Sequence, residues 1–124
     1  MRVVLSATSG VPLYEQIVEQ VRDQIMAGEL AAGAALPSLR ALAGELRVSL
    51  ITTTRAYNDL AAEGLIVNVP AKGSFVAQID PEEARRSSLE RAQAGLRQIV
   101  ARTRHTGLVS LEELTAMLAE EWKR

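Results

Sequence analysis

The chain of 124 residues has no cysteine, one histidine and only two tyrosines, one tryptophan and one phenylalanine. Without cysteine there is no disulfide framework and no thiolate metal site. With His105 as the lone imidazole, and no Gly-rich phosphate loop or metal-ligand spacing, no metal site and no cofactor are expected. No apolar run is long enough for a membrane span or a secretory signal, so a cytoplasmic location with no membrane partner is the simplest expectation. The acid pairs Glu82-Glu83 and Glu112-Glu113 complement the starts of expected helices, and Glu120-Glu121 lies near a helix end. The sequence therefore gives no support for an enzyme.

A strong excess of one charge is also missing, because 14 Lys and Arg face 15 Asp and Glu, for a net charge of -1. Domains that bind nucleic acid are usually strongly basic, so this balance argues mildly against such a partner. Composition is 48% apolar but 3% aromatic, which leaves a core built mainly from Leu, Val, Ile and Ala in a globular chain. The length allows one compact domain and a small appendage, without room for a large ligand-binding domain.

What is present centres on Leu36 to Phe75. Pro37 holds Leu36 extended and Ser38 can cap a helix from Leu39 to Arg47, with Leu39, Leu42, Ala43 and Leu46 at helical spacing. Val48 and Ser49 make a turn, Ser49 caps again, and a second helix runs from Leu50 until Gly64 stops it. The run Leu50-Ile51-Thr52-Thr53-Thr54 reads as a strand by propensity alone, and the caps and turn outweigh it. On this helix Ala56, Tyr57 and Leu60 should pack, while Ile51, Thr52, Thr54, Arg55 and Asn58 fall on other faces. Hydroxyls and one cation on an exposed helix suit phosphate oxygens and base edges; the bland alternative is a solvated face.

Strand-like runs Leu65 to Val69 and Ser74 to Ala77 follow, joined by Pro70-Ala71-Lys72-Gly73, and Lys72 at the tip can touch a phosphate or a minor groove. The pattern is that of a winged helix-turn-helix. Its charge is uneven: residues 38 to 76 carry Arg40, Arg47, Arg55 and Lys72 against Glu45, Asp59 and Glu63, whereas residues 10 to 36 carry Arg22 against Glu15, Glu19, Asp23 and Glu29. Binding would rest on a few placed cations, with a modest salt slope.

The motifs Pro12-Leu13-Tyr14-Glu15-Gln16-Ile17, Gly28-Glu29-Leu30, Gly33, Leu36-Pro37-Ser38-x-Arg40-x-Leu42-Ala43, Val48-Ser49, Arg55-Ala56-Tyr57 and Gly73-Ser74-Phe75-Val76 stand in order along residues 11 to 77. Through them the chain resembles the GntR-type bacterial transcription regulators. Leu39, the Arg55-Ala56-Tyr57 run and the short tail look most like the YtrA-type subgroup, which has a two-helix extension instead of a large effector domain. The resemblance implies a dimeric DNA-binding regulator, with DNA contacts falling on Arg40, Ser49, Thr52, Arg55, Lys72 and Gly73. Leu50 stands where the family often has Arg, so a guanine contact cannot be copied across. Ala71 replaces a common glycine, and Thr53 replaces an aliphatic residue, which should weaken packing slightly. The expected DNA-facing set is Ser38, Arg40, Ser49, Leu50, Ile51, Thr52, Thr54, Arg55, Asn58, Lys72 and Gly73.

Residues 1 to 10 lack periodicity and read as a flexible arm. Leu13, Tyr14, Ile17, Val18, Val21 and Ile25 trace the core face of a first helix, in which Tyr14 reads as a packing residue in preference to a stacking one. Glu29 to Ala35 reads as a loop, and the winged domain spans residues 11 to 79. In the tail, residues 80 to 124, Asp80-Pro81-Glu82-Glu83 starts a helix running to about Arg104. Ser110-Leu111-Glu112-Glu113 is a capping box for a last helix, Leu111 to Trp122, with Val109 and Leu114 as a staple. Leu89, Ala92, Leu96, Ile99 and Val100 on one helix, and Leu114, Leu118 and Trp122 on the other, form apolar stripes that a helical hairpin cannot cover alone, so a second copy should. The six arginines from Arg85 to Arg104 read as a solvated face.

The expected fold is mainly α with a small β-hairpin, an N-terminal winged helix-turn-helix followed by a C-terminal α-helical hairpin. The expected function is a homodimeric, sequence-specific repressor on an inverted-repeat operator in double-stranded DNA, with no effector identifiable. The subgroup resemblance suggests control of a transport operon. The alternative is a protein-interaction module that uses the same surfaces for docking.

Overall fold

A computed structural model describes residues 1–124. Helix α1, Leu13–Met26, starts after Pro12 and buries Ile17, Val18, Val21 and Ile25, which recur at the 3- and 4-residue spacing of one helix face. Helix α2, Leu39–Leu46, is capped by Ser38, whose Oγ accepts from the Ala41 N–H at 3.1 Å. Helix α3, Leu50–Ala62, is capped in the same way by Ser49, which accepts from the Thr52 N–H at 3.2 Å. Between them Arg47 adopts φ 58°, ψ 46°, and this left-handed residue makes the turn tight. The β-branched run after Leu50 is helical because both termini of α3 are held and one face is buried against α1 and α2.

Ala56, Tyr57 and Leu60 are buried at the centre of a core shared with Ile17, Val21, Leu42 and Ile66. Thr53 is fully buried too, yet its hydroxyl lies 3.0 Å from the Leu39 carbonyl and 3.2 Å from that of Leu50. The residue expected to loosen the packing thus links α2 to α3 through a satisfied hydrogen bond.

Strands β1, Ile66–Val69, and β2, Gly73–Val76, pair antiparallel with Ile66 opposite Val76 and Val69 opposite Gly73. The stretch expected as a loop before α2 adds an edge to this hairpin. Gly33 donates to the Val76 carbonyl at 2.8 Å, Val76 to that of Ala34 at 2.9 Å, and Leu36 to that of Ser74 at 2.9 Å.

Residues 2 to 6, expected to be part of a flexible arm, lie instead along α1. Val4 N–H donates to Gln20 Oε1 at 2.8 Å while Gln20 Nε2 donates back to the Val4 carbonyl at 2.7 Å. Gln16 does the same with Ser6 at 2.8 Å and 2.8 Å, and Gln24 accepts from the Arg2 N–H at 3.0 Å. Glutamines four apart on a helix are spaced about 6 Å, and alternate residues of an extended chain about 6.6 Å, so the amides match the backbone almost in step. Val3 and Leu5, the alternate positions, pack on the core.

The chain divides into two compact units, Met1–Asp80 and Pro81–Arg124. In the second, α4, Pro81–Thr106, carries Glu82 and Glu83 in its first turn and continues past Arg104 to Thr106 before Gly107, at φ +65°, ends it. Helix α5, Leu111–Lys123, has the reciprocal capping box between Ser110 and Glu113, each bond 3.1 Å. The two helices follow each other in the expected order, joined by residues 107–110. No residue of either is buried. No helix is long and apolar enough to cross a membrane.

Candidate nucleic-acid interface

Helix α3 has two unlike faces. One is the core face of Thr53, Ala56, Tyr57 and Leu60; the other presents Ile51, 80% exposed, together with exposed Leu50, Arg55 and Asn58 and half-buried Thr52 and Thr54. Some of the hydroxyls are already engaged. Thr54 Oγ1 donates to the Leu50 carbonyl at 2.7 Å, and Ser49 Oγ and Thr52 Oγ1 lie 2.9 Å apart in the cap. Thr54 is thereby left with lone pairs, which suit a donor on a base edge better than a phosphate oxygen.

The surroundings gather most of the expected positions. Ser38, Arg40, Leu50, Asn58 and Gly73 line one groove of about 510 Å³ between α2, α3 and the hairpin. Leu50, Ile51, Thr54, Arg55 and Asn58 line the depression next to it. Ser49 and Thr52 stand at the start of α3, and Lys72 is exposed at the hairpin tip, outside both sets of walls. The tip is a turn in which the Lys72 N–H donates to the Val69 carbonyl at 3.0 Å, with Pro70 second and Ala71 third at φ +64°. That third position normally calls for glycine.

Two tyrosines hold this surface in place. The Tyr57 hydroxyl donates to the Pro37 carbonyl at 2.7 Å, tying α3 to the segment that starts α2, and burial pushes its pKa up to about 12. Tyr14, half-buried on α1, lies under Arg55, whose Cζ is 3.7 Å from the ring centroid. Its hydroxyl donates to Glu15 Oε1 at 3.2 Å. Partial burial and this carboxylate raise the Tyr14 pKa, against the pull of the Arg55 charge. Tyr14 also packs against the core, as its sequence position suggests, and nothing in the spacing of the two residues announces the stack. Beyond Tyr14, Glu15, Glu19, Asp59 and Glu63 line a depression with Arg22, which grips Glu63 by two bonds of 3.1 and 2.9 Å. The surface is therefore cationic on the α2 and hairpin side and acidic on the α1 side.

In the tail, Leu89, Ala92, Leu96, Ile99, Val100, Leu118 and Trp122 are exposed and Leu114 half-buried. No group of side chains in the chain is arranged to hold a metal ion.

The profile of the bacterial regulatory proteins of the gntR family matches residues 13–76, the span from the start of α1 to the end of β2. The chain belongs to the GntR family. The HTH-type transcriptional regulator Rv1152 of Mycobacterium tuberculosis is 32% identical over 77% of this chain and 79% of its own length. The HTH-type transcriptional repressor YtrA of Bacillus subtilis is 28% identical over 90% of this chain and 85% of its own length, so that likeness runs into the tail helices. Other curated regulators are longer, and the chain spans 16 to 33% of four of them. Among solved structures, a transcriptional antiterminator from Listeria monocytogenes covers 100% of this chain at 27% identity with a TM-score of 0.77. The DNA-binding domain of AraR in complex with an operator covers 62% at 28% identity with a TM-score of 0.55. As a member of the GntR family the chain is a DNA-binding transcriptional regulator, and the reading against catalysis rests on that membership.

Proposed function

We propose that this GntR-family chain is a cytoplasmic homodimeric repressor that occupies an inverted-repeat operator and so blocks transcription. The observation that carries the reading is α3 itself, buried along Thr53, Ala56, Tyr57 and Leu60 and open along Ile51, Arg55 and Asn58 beside a groove that ends at the wing. In this reading α3 enters the major groove. Arg55 and Asn58 meet base edges, for which an arginine fork on guanine and an amide on adenine are the favoured pairs. Arg40 and Ser49 grip phosphates on one side and Lys72 on the other. Leu50 and Ile51 offer apolar contact to thymine methyls.

The apolar stripes of α4 and α5 pair with those of a second copy, which sets two α3 helices at the spacing of two half-sites. Likeness to YtrA, whose name marks it as a repressor, supports the sign of regulation. Control of a transport operon rests on the subgroup resemblance alone. The test is a mobility-shift assay of the full chain against a random-sequence duplex pool at two salt concentrations. The expected result is a selected sequence with two inverted half-sites and affinity that falls with salt. A chain with neither sequence preference nor salt slope would be a docking module, the reading that the net charge of -1 favours.

A further inference from the structure

We infer that Tyr14 is a specificity-determining positioning residue, holding the guanidinium of Arg55 at a fixed place on the reading face of α3 before DNA arrives. The inference rests on the proposed role of Arg55 as a base reader. Arginine on an open helix face samples many rotamers, and fixing such a side chain on binding weakens association. Here three features restrict it in the free protein. The Tyr14 ring lies under the guanidinium at 3.7 Å, a stacked cation–π contact. Glu15 accepts the Tyr14 hydroxyl at 3.2 Å and so restrains the ring. The acidic wall of Glu15, Glu19 and Asp59 lies on the same side and draws the cation toward the ring.

The stack joins α1 to the reading face through a contact that buries neither partner completely. That is unlike the apolar packing of Ile17 and Val21 on the same helix, where neither residue shows any exposure. A residue present only for core stability would have no need of a charged partner at the rim. The ring offers Arg55 a flat platform that leaves its N–H edge free, and that edge forms the fork that reads guanine.

The experiment uses the full chain with Tyr14→Leu, Tyr14→Phe, Arg55→Ala and the double variant Tyr14→Leu with Arg55→Ala. The probes are the best duplex selected by the wild-type chain from a random library and an unrelated duplex of equal length. Tyr14→Leu is expected to weaken the selected duplex about 2- to 10-fold per half-site, the cost of ordering one flexible side chain, and to relax preference at the base that Arg55→Ala also relaxes. The unrelated duplex should be bound as before. Tyr14→Phe keeps the platform but gives up the bond to Glu15, so it should keep the preference and lose less affinity than Tyr14→Leu. In the Arg55→Ala background Tyr14→Leu should have no further effect.

An equal loss in both backgrounds would make Tyr14 a packing residue and overturn the proposal, with thermal melting run alongside to register the packing. A loss in Tyr14→Phe as large as in Tyr14→Leu would assign the hydroxyl a contact of its own and overturn it as well. Tighter binding by Tyr14→Leu would mean that the ring holds Arg55 back, the opposite of what is proposed. If Arg55→Ala leaves preference unchanged, or the library yields no selected duplex, the failure lies in the functional reading beneath the proposal, which falls with it.

Discussion

Replacing Leu96 by Asp tests the role of the tail with a single atom-scale change. Leu96 lies mid-stripe on α4 and is 49% exposed, so in the proposed dimer about half of its surface would be covered by the second copy. Full burial of a leucine contributes about 1.5 to 3 kcal/mol, so the uncovered half contributes about 1 kcal/mol per chain. A carboxylate in the same seam adds a desolvation cost of several kcal/mol. A symmetric dimer carries the substitution twice, which brings the total to roughly 5 kcal/mol or more and the dissociation constant up by more than about a thousandfold. The core of the first unit contains no residue beyond Ile79, so the winged domain should stay folded, with an unchanged melting transition. Two reading heads joined by the tail gain about 10² to 10⁴ in affinity over one. Sedimentation should then show a monomer, and a shift assay on the full inverted repeat should show that loss. A monomer that binds the full repeat at wild-type affinity, or a variant that remains a dimer, would refute the reasoning.

Arg55→Ala should cost about 1 to 3 kcal/mol and relax preference at one position per half-site, whereas Lys72→Ala should weaken all duplexes alike and lower the salt slope by about one per protomer; equal, sequence-independent losses would remove the distinction between helix and wing. Tyr57 has its folded pKa raised to about 12 from the ordinary 10.0, so its contribution is present below pH 10 and is lost as pH rises toward 12. Unfolding followed across that range should show a stability decrease that Tyr57→Phe lacks, and the same decrease in Tyr57→Phe would place its origin elsewhere. Ala71→Gly removes the left-handed strain at the third position of the wing turn, and after the extra chain entropy of glycine it should raise stability by roughly 0.5 kcal/mol; a lower urea midpoint would contradict the strain.

Much of the winged domain was legible because its signals are local. Ser38 and Ser49 are cap residues followed by apolar residues at helical spacing, and both make the expected bonds to the backbone. The faces of α3 followed from the same spacing, and caps outweighed the β-branched run because a held terminus and a buried face contribute more than the few tenths of a kcal/mol per residue at stake in propensity. What was not legible depends on partners distant in sequence. The arm has no periodicity of its own; its order comes from Gln16, Gln20 and Gln24, which read as ordinary polar positions until an extended backbone is laid beside them. Gly33, Ala34 and Leu36 form an edge of the wing although small residues rarely signal a strand. The stack of Tyr14 and Arg55 belongs to the same class, since each residue has a complete explanation on its own helix.

The two tail helices expected from the sequence are present, and what their apolar faces lack bears on the charge. Periodicity shows that a helix has an apolar face without showing what covers it. In α4 and α5 the faces are present and no residue of either is fully buried. The proposed reading surface has the complementary shortage, with Arg40, Arg55 and Lys72 exposed beside the acidic depression of Glu15, Glu19, Asp59 and Glu63. Each phosphate neutralised contributes one counterion's release, so one such surface alone has weak, strongly limited non-specific affinity. A surface poor in cations gains specificity, because most of its binding then depends on the few groups that meet the correct bases. In the proposed dimer it becomes usable because two copies act together, with the stripes of α4 and α5 joining them. On this reading the net charge of -1 and the exposed tail are parts of one arrangement, in which affinity comes from coupling two weak sites instead of from general attraction to DNA.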